Sequence, residues 1–413
     1  DAGGNPAVLA ADIAACQPVN PFGQGNISQA AKNYVLQDTV SVGKITQLDL
    51  IGYMSGDTSQ FLTLPGGPVQ FSVGGEYRRE TASFQADPLV ASGYTFYNAI
   101  ANFNPTSFTV KEAYGELRVP LLADITLIKE LTLSGAGRVS DYKGAAGTNY
   151  TYNAGVDYSP VADLRFRAQY ARAVRAPNLQ DLYSPLGQNF APGFVDPCAA
   201  RQIGTGSSTR AANCAAAGIP TTGAGAYDYI YQSSLEIQSG GNPTLKVEKS
   251  DSYTYGGVYQ PSYVPGLTLS VDYYNIQVND VITAPSAQAI ANGCYDAASL
   301  DNQFCGLFQR VAAGATGPRG EEAYRIIEGS LQQTTLNYAK LKVRGINTDL
   351  SYTRRFGENK NVSAHFIWTH ALQNDSFLNP TDPNRANRLL GEAGQPKDAF
   401  NVSLNASAGT LYV

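Results

Sequence analysis

Few residues among the 413 have the types and spacing to do chemistry. The two histidines, His365 and His370, stand five apart in the alternating run "NVSAHFIWTH". That spacing puts them on opposite faces of a strand, and neither belongs to an H-E-x-x-H zinc helix. Ser41 and Lys44 fit S-x-x-K, but no K-T-G accompanies them and they begin a strand pattern. No glycine-rich phosphate loop and no C-x₂-C pair occurs. These observations point away from an enzyme, and no metal or cofactor is expected.

What remains is cysteine and tyrosine. The cysteines are Cys16, Cys198, Cys214, Cys294 and Cys305. Cys198 with Cys214, and Cys294 with Cys305, form two local pairs in small-residue stretches between strand patterns. This arrangement predicts loop-closing disulfides made in an oxidising compartment. Cys16 is left over, its partner expected upstream of residue 1. The run "GAYDYIYQ" offers Tyr227, Asp228, Tyr229 and Tyr231. Tyrosines with polar neighbours suit sugars or aromatic chelates. The same composition equally suits a loop hairpin packed on itself.

The elements that must position these residues are strands. Only 15% of residues are charged, against about 25% in ordinary soluble domains. There are 26 tyrosines and 41 glycines. The net charge of −5, with no basic run, argues against nucleic-acid binding. No stretch is long and apolar enough for a transmembrane helix, but barrel strands alternate and escape that test. Alternation is the dominant pattern. "TNYTYNAGVDYSP" sets Tyr150, Tyr152, Val156 and Tyr158 against Asn149, Thr151, Asn153 and Asp157. "LRFRAQYARAVRAPNLQDLY" sets Leu164, Phe166, Ala168 and Tyr170 against Arg165, Arg167 and Gln169.

About eleven such strands follow: 42–55, 68–85, 107–120, 130–142, 148–159, 163–174, 249–260, 266–283, 335–356, 361–373 and 397–411. Their links alternate between short turns and long loops at 86–106, 175–248, 284–334 and 374–396, with a short link at 143–147 on the long-loop side. The predicted fold is all-β, an antiparallel transmembrane β-barrel with long outer loops and short periplasmic turns. Tyr158, Tyr259, Tyr352 and Phe356, near the short turns, are expected to form an aromatic girdle. The polar face carries both signs of charge, among them Glu112, Arg138, Asp157, Arg165, Arg167, Asp272 and Asp349. That mixture suits a lumen holding a polar plug. The segment 284–334 is expected to hold a short pair of strands.

Four ordered motifs resemble the carboxy-terminal barrel of TonB-dependent outer-membrane receptors. They are "CQPVNPFGQGNIS" (16–28), "LPGGPVQFSVGGEYRRE" (64–80), the strand ending in "RAPNLQDLY", and the segment 242–282, "NPTLKVEKSDSYTYGGVYQ" running into the "DYY" strand. The resemblance implies an outer-membrane barrel of about 22 strands, a separate amino-terminal plug, and coupling through a TonB box to the TonB complex. Residues 1–413 would then be a partial barrel domain, about half of the strands, without plug, first strands or last strands. The odd strand count and an opening that reads as mid-loop fit that expectation. The implied partners are TonB, the plug, outer-membrane lipid and an extracellular small molecule or glycan. Arg175 then stands where the wall meets the largest loop. It would touch plug or ligand, or else pair with Asp181 or a neighbouring strand. The competing functional readings are a passive porin or structural surface protein and a soluble carbohydrate binder.

Overall fold

The computed structural model describes residues 6–95, 98–105, 107–357, 360–380, 382–409 and 411–412. The eleven alternating runs all form long strands. They are β1 (Val42–Asp57), β2 (Gln70–Gln85), β3 (Phe108–Ile125), β4 (Ile128–Tyr142), β5 (Gly147–Val161) and β6 (Leu164–Arg175). Then come β7 (Glu248–Tyr259), β8 (Leu267–Thr283), β9 (Leu336–Phe356), β10 (Lys360–Phe377) and β11 (Asp398–Ala408). They pair in chain order as one antiparallel meander. Across the short turns, neighbouring strands pair because the turn leaves the second strand no other place to go. The expected turn at 356–360 includes residues 358–359, and the expected last strand includes residue 410; these lie outside the described residues.

Register keeps each face continuous, because side chains alternate with period two. Tyr158 stands opposite Phe166, which stands opposite Gly257, and these lie on the apolar face. Asp157, Arg167, Gly256, Asp272 and Asn347 form the equivalent row on the polar face. Pro120 has no N–H to donate, and the β3–β4 ladder shifts register between Pro120 and Leu122.

By compactness the chain divides into two units. The smaller comprises residues 1–43 and 84–102. Its opening, expected to be loop, is helical at Pro6–Ala15; residues 1–5 lie outside the described residues. Pro6 occupies a helix-opening position, and the alanine-rich run that follows has high helix propensity. A second helix, Gln29–Val35, is capped by Ser28. Asp87 accepts hydrogen bonds from the backbone of Val40 and Leu89.

The larger unit, residues 44–83 and 103–413, holds the wall and a folded module built from its two longest loops. The middle strand of the module, Ser234–Gly240, pairs antiparallel with Gly187–Pro192 and parallel with Leu331–Thr334. The expected strand pair in 284–334 is thus corrected. One strand forms, with an isolated bridge between Arg310 and Ile326 and a helix at Ala287–Asp296. The helix wins because Ser286 caps it and Ala287, Ile290, Ala291 and Cys294 fall on one buried face. The run at 225–232 forms no hairpin. Leu235, Ile237, Ile290, Ile326 and Leu331 fill the module's core.

Candidate functional site

Two places concentrate polar chemistry: the charged face of the wall and the root of the loop module. On the wall, Arg167 donates to both carboxylate oxygens of Asp272, at 2.8 and 2.6 Å. The pair spans an intervening strand, and Gly256 on that strand lets it form. A Cβ there would come within 2.3 Å of the Asp272 carboxylate. Arg165 donates to Asp157 at 3.0 and 2.5 Å. Arg138 donates to Glu112 at 2.7 Å and lies 5.0 Å from the Tyr114 ring centre. His365 meets Asp349 at 2.9 Å on this face, while His370 meets Asp398 at 2.7 Å on the other. Charges of both signs neutralise each other across strands, so this face presents oriented polar groups and no field of one sign.

The root of the module is built from two of the sequence motifs. Pro177 removes an N–H from the ladder and the chain leaves β6 at once. Asn178 and Asp181 then cap the short helix Leu179–Tyr183 reciprocally, at 2.8 and 3.0 Å. Arg175 reaches Glu248 at 2.5 Å and Asp181 at 3.4 Å. Glu248 also accepts the backbone N–H of Ile282 at 2.7 Å. The carbonyl of Asp181 accepts from the backbone of Asn242 at 2.7 Å and from Thr335 Oγ1 at 3.2 Å. The ends of β6 to β9 are therefore tied together around one guanidinium. Arg175 and Asp181 come together here. Glu248 was not singled out in the sequence, although it sits in the "NPTLKVEKS" motif.

Inside the module, Cys198–Cys214 and Cys294–Cys305 form the two expected disulfides; Cys16, in the smaller unit, is free and exposed. Asp196, its side chain 0% exposed, receives two hydrogen bonds from Arg310, both at 2.8 Å. Tyr227 donates to the same carboxylate at 2.8 Å. Burial and the neighbouring Asp196 push the Tyr227 phenol far above its ordinary range. Arg210 and Asp296 form a second buried pair. Of the remaining tyrosine-rich segment, Tyr231 is buried against Phe194. Tyr229 stacks on the Arg325 guanidinium, 3.8 Å from ring centre to charge. Asp228 binds Arg201 at 2.8 and 2.6 Å, which holds its carboxyl below the usual value. The four residues thus divide: Tyr227 and Tyr231 inward, Asp228 and Tyr229 in pairs at the surface of the module.

A family model for the TonB dependent receptor-like β-barrel matches residues 16–412. The chain belongs to that TonB-dependent receptor family. Several solved structures are similar to this chain. The ferric enterobactin receptor PfeA in complex with BCV-L6 is 17% identical, with a TM-score of 0.50 over 88% of this chain and 40% of its own. The siderophore receptor PirA from Acinetobacter baumannii is 13% identical (TM-score 0.49; 96% of this chain, 52% of its own). The RagAB peptide transporter is 10% identical (TM-score 0.47; 90% and 41%). The chain therefore spans about half the length, or less, of these receptors. No curated protein matches the sequence. Among the described residues no helix is long and apolar enough to cross a membrane, which leaves a strand-built crossing open. No group of metal-binding side chains gathers among the described residues.

Proposed function

We propose that this chain is wall and outer loops of a transporter in the outer membrane of a Gram-negative bacterium. The transporter imports a scarce nutrient with energy from TonB. The observation that carries this reading is the two-faced wall of a family member. Phe166, Ala168 and Tyr255 form an apolar side for lipid, and opposite them run cross-strand ion pairs. Charges on a lipid face would each cost up to a few kcal/mol at the midplane, whereas a filled, polar lumen accommodates them in pairs. Chemically, the polar face would hold a plug by complementary hydrogen bonds, and the plug would be moved by TonB. The loop module would meet an extracellular small molecule or glycan first. Arg175 and Asp181 at its root, with Tyr229 and Asp228 on its surface, are the contacts to probe.

Uptake in whole cells tests the reading. Cells carrying the full-length protein should grow on the limiting nutrient only with an intact proton motive force and an intact TonB. Growth that survives loss of either sinks active transport. Steady ion conductance in planar bilayers would then favour a passive pore. His365 and His370 lie on opposite faces, each held by an aspartate.

A further inference from the structure

The lipid side of the wall is not uniformly apolar. Near the long-loop ends of β6 to β10 the register aligns one row of polar residues on that side. Arg172 stands opposite Asp251, Asp251 opposite Gln277, Gln277 opposite Lys342, and Lys342 opposite Asp375. Two positions to either side on the same face stand Lys249, Lys340 and Arg344. Five cations thus share this patch with two carboxylates, in a chain whose net charge is −5. Arg172 is bound to Asp251 at 3.0 and 3.1 Å. Among the described residues Lys249, Lys342 and Arg344 have no carboxylate within ion-pair reach, and Lys249 and Arg344 are exposed.

Height along the wall gives the patch a meaning. Asp251 and Lys342 stand about eight and ten residues above Tyr259 and Tyr352, at the short-turn ends. For strands tilted by ~45° that is roughly 19 to 24 Å, near the top of an apolar band about 25 Å tall. Tyr152, Tyr170 and Tyr253 lie beside or just below the row, with ring centres 6.0 and 4.9 Å apart. Beneath them a groove of about 510 Å³ runs over Val156, Ala168 and Gly257, walled by Tyr158, Phe166 and Tyr255. Ala168 and Gly257 keep it open; a Cβ on Gly257 would already come within 3.3 Å of the Phe166 ring.

We propose that this surface seats a phosphorylated, acylated lipid of the outer leaflet, and the inference rests on the membrane-wall reading above. The phosphates would lie against Lys249, Lys342 and Arg344, and one acyl chain along the groove. Long cationic side chains at this height can reach up to a headgroup while their stems stay in the apolar layer. A basic cluster beside a bilayer attracts anionic lipid by about 1 kcal/mol per charge, roughly fivefold each.

Native mass spectrometry of the full-length protein, titrated with diphosphoryl lipid A in mild detergent micelles, tests this. The wild type should bind one lipid, and the same lipid stripped of both phosphates should bind at least tenfold more weakly. K249Q/K342Q/R344Q should weaken binding on the order of a hundredfold. Ala168→Phe, which fills the groove, should weaken it roughly tenfold. Heat-dependent gel migration reports whether each variant has folded. A folded wild type that binds neither lipid, or a folded triple variant that binds as well as wild type, overturns the lipid seat. Either result leaves the transporter reading intact. Recovery of the protein outside the outer-membrane fraction would overturn both.

Discussion

The wall and the loop module solve the same problem of polar groups in opposite ways. On the wall, Arg165, Arg167 and Arg138 remain 40 to 51% exposed in their side chains, and their partners are other strands' carboxylates. In the module, Arg310 and Arg210 are only 11% and 5% exposed, the first among aromatic rings and a backbone oxygen, the second beside a backbone carbonyl and a threonine hydroxyl. The wall draws its order from a continuous backbone ladder, so no single side chain is critical to it. The module has short strands and depends on a small core plus covalent and ionic ties. Equal-looking ion pairs should therefore differ sharply in what their loss costs.

The largest effect is expected at Asp196→Ala. It strands a buried guanidinium, and breaking such a pair costs about 3–5 kcal/mol. Hydrogen exchange should accelerate across 187–240 and 287–334 while β2 to β6 keep their protection; uniform loss of protection would erase the distinction between the regions. Replacing Cys198 and Cys214 by serine should cost the module about 2–4 kcal/mol through lost loop closure. Limited proteolysis would show new cuts confined to it. On the wall, Val156→Arg places a charge on the lipid side and should cost up to about 2–4 kcal/mol in a bilayer, depending on depth. No cost in a bilayer would mean that the face is not lipid-facing. Arg165→Ala should cost no more than about 1 kcal/mol, as exposed pairs do; a larger loss would make the wall's pairs as critical as the module's.

The mildest test is acidification. Glu236 in the module is held below its ordinary carboxylate value of 4.5, chiefly by its hydrogen bond from Arg319. A depressed carboxyl stabilises the fold in full above the unfolded value. That contribution fades as pH falls through the lower folded value. Protection factors near 234–240 and 319–329, referred to the intrinsic exchange rate at each pH, should fall below pH 4.5 and be flat above it.

The wall was legible because its signal is redundant. Leu164, Phe166, Ala168 and Tyr170 alternate with charge over enough residues to outweigh any local ambiguity, and all eleven strands formed where alternation ran. The module was not legible as a whole. Gly187–Pro192 and Leu331–Thr334 are too short for periodicity to register, and their pairing with Ser234–Gly240 is set by contacts remote in sequence. The helix at Ala287–Asp296 did carry a readable sign, a serine cap before apolar residues at helical spacing, hidden inside a loop-like composition. At the site, Arg175 and Asp181 were found through the proline turn. Glu248 escaped because its partner lies 73 residues away. The outer cationic row escaped because no one strand holds more than three of its charges.

One consequence of the shared root concerns leverage. The loops 176–247 and 284–335 are joined by a strand pair at one level and by Arg175, Asp181, Glu248 and Thr335 at another. They have lost the freedom to swing separately. A force applied to either is delivered to a single pivot at the top of four wall strands.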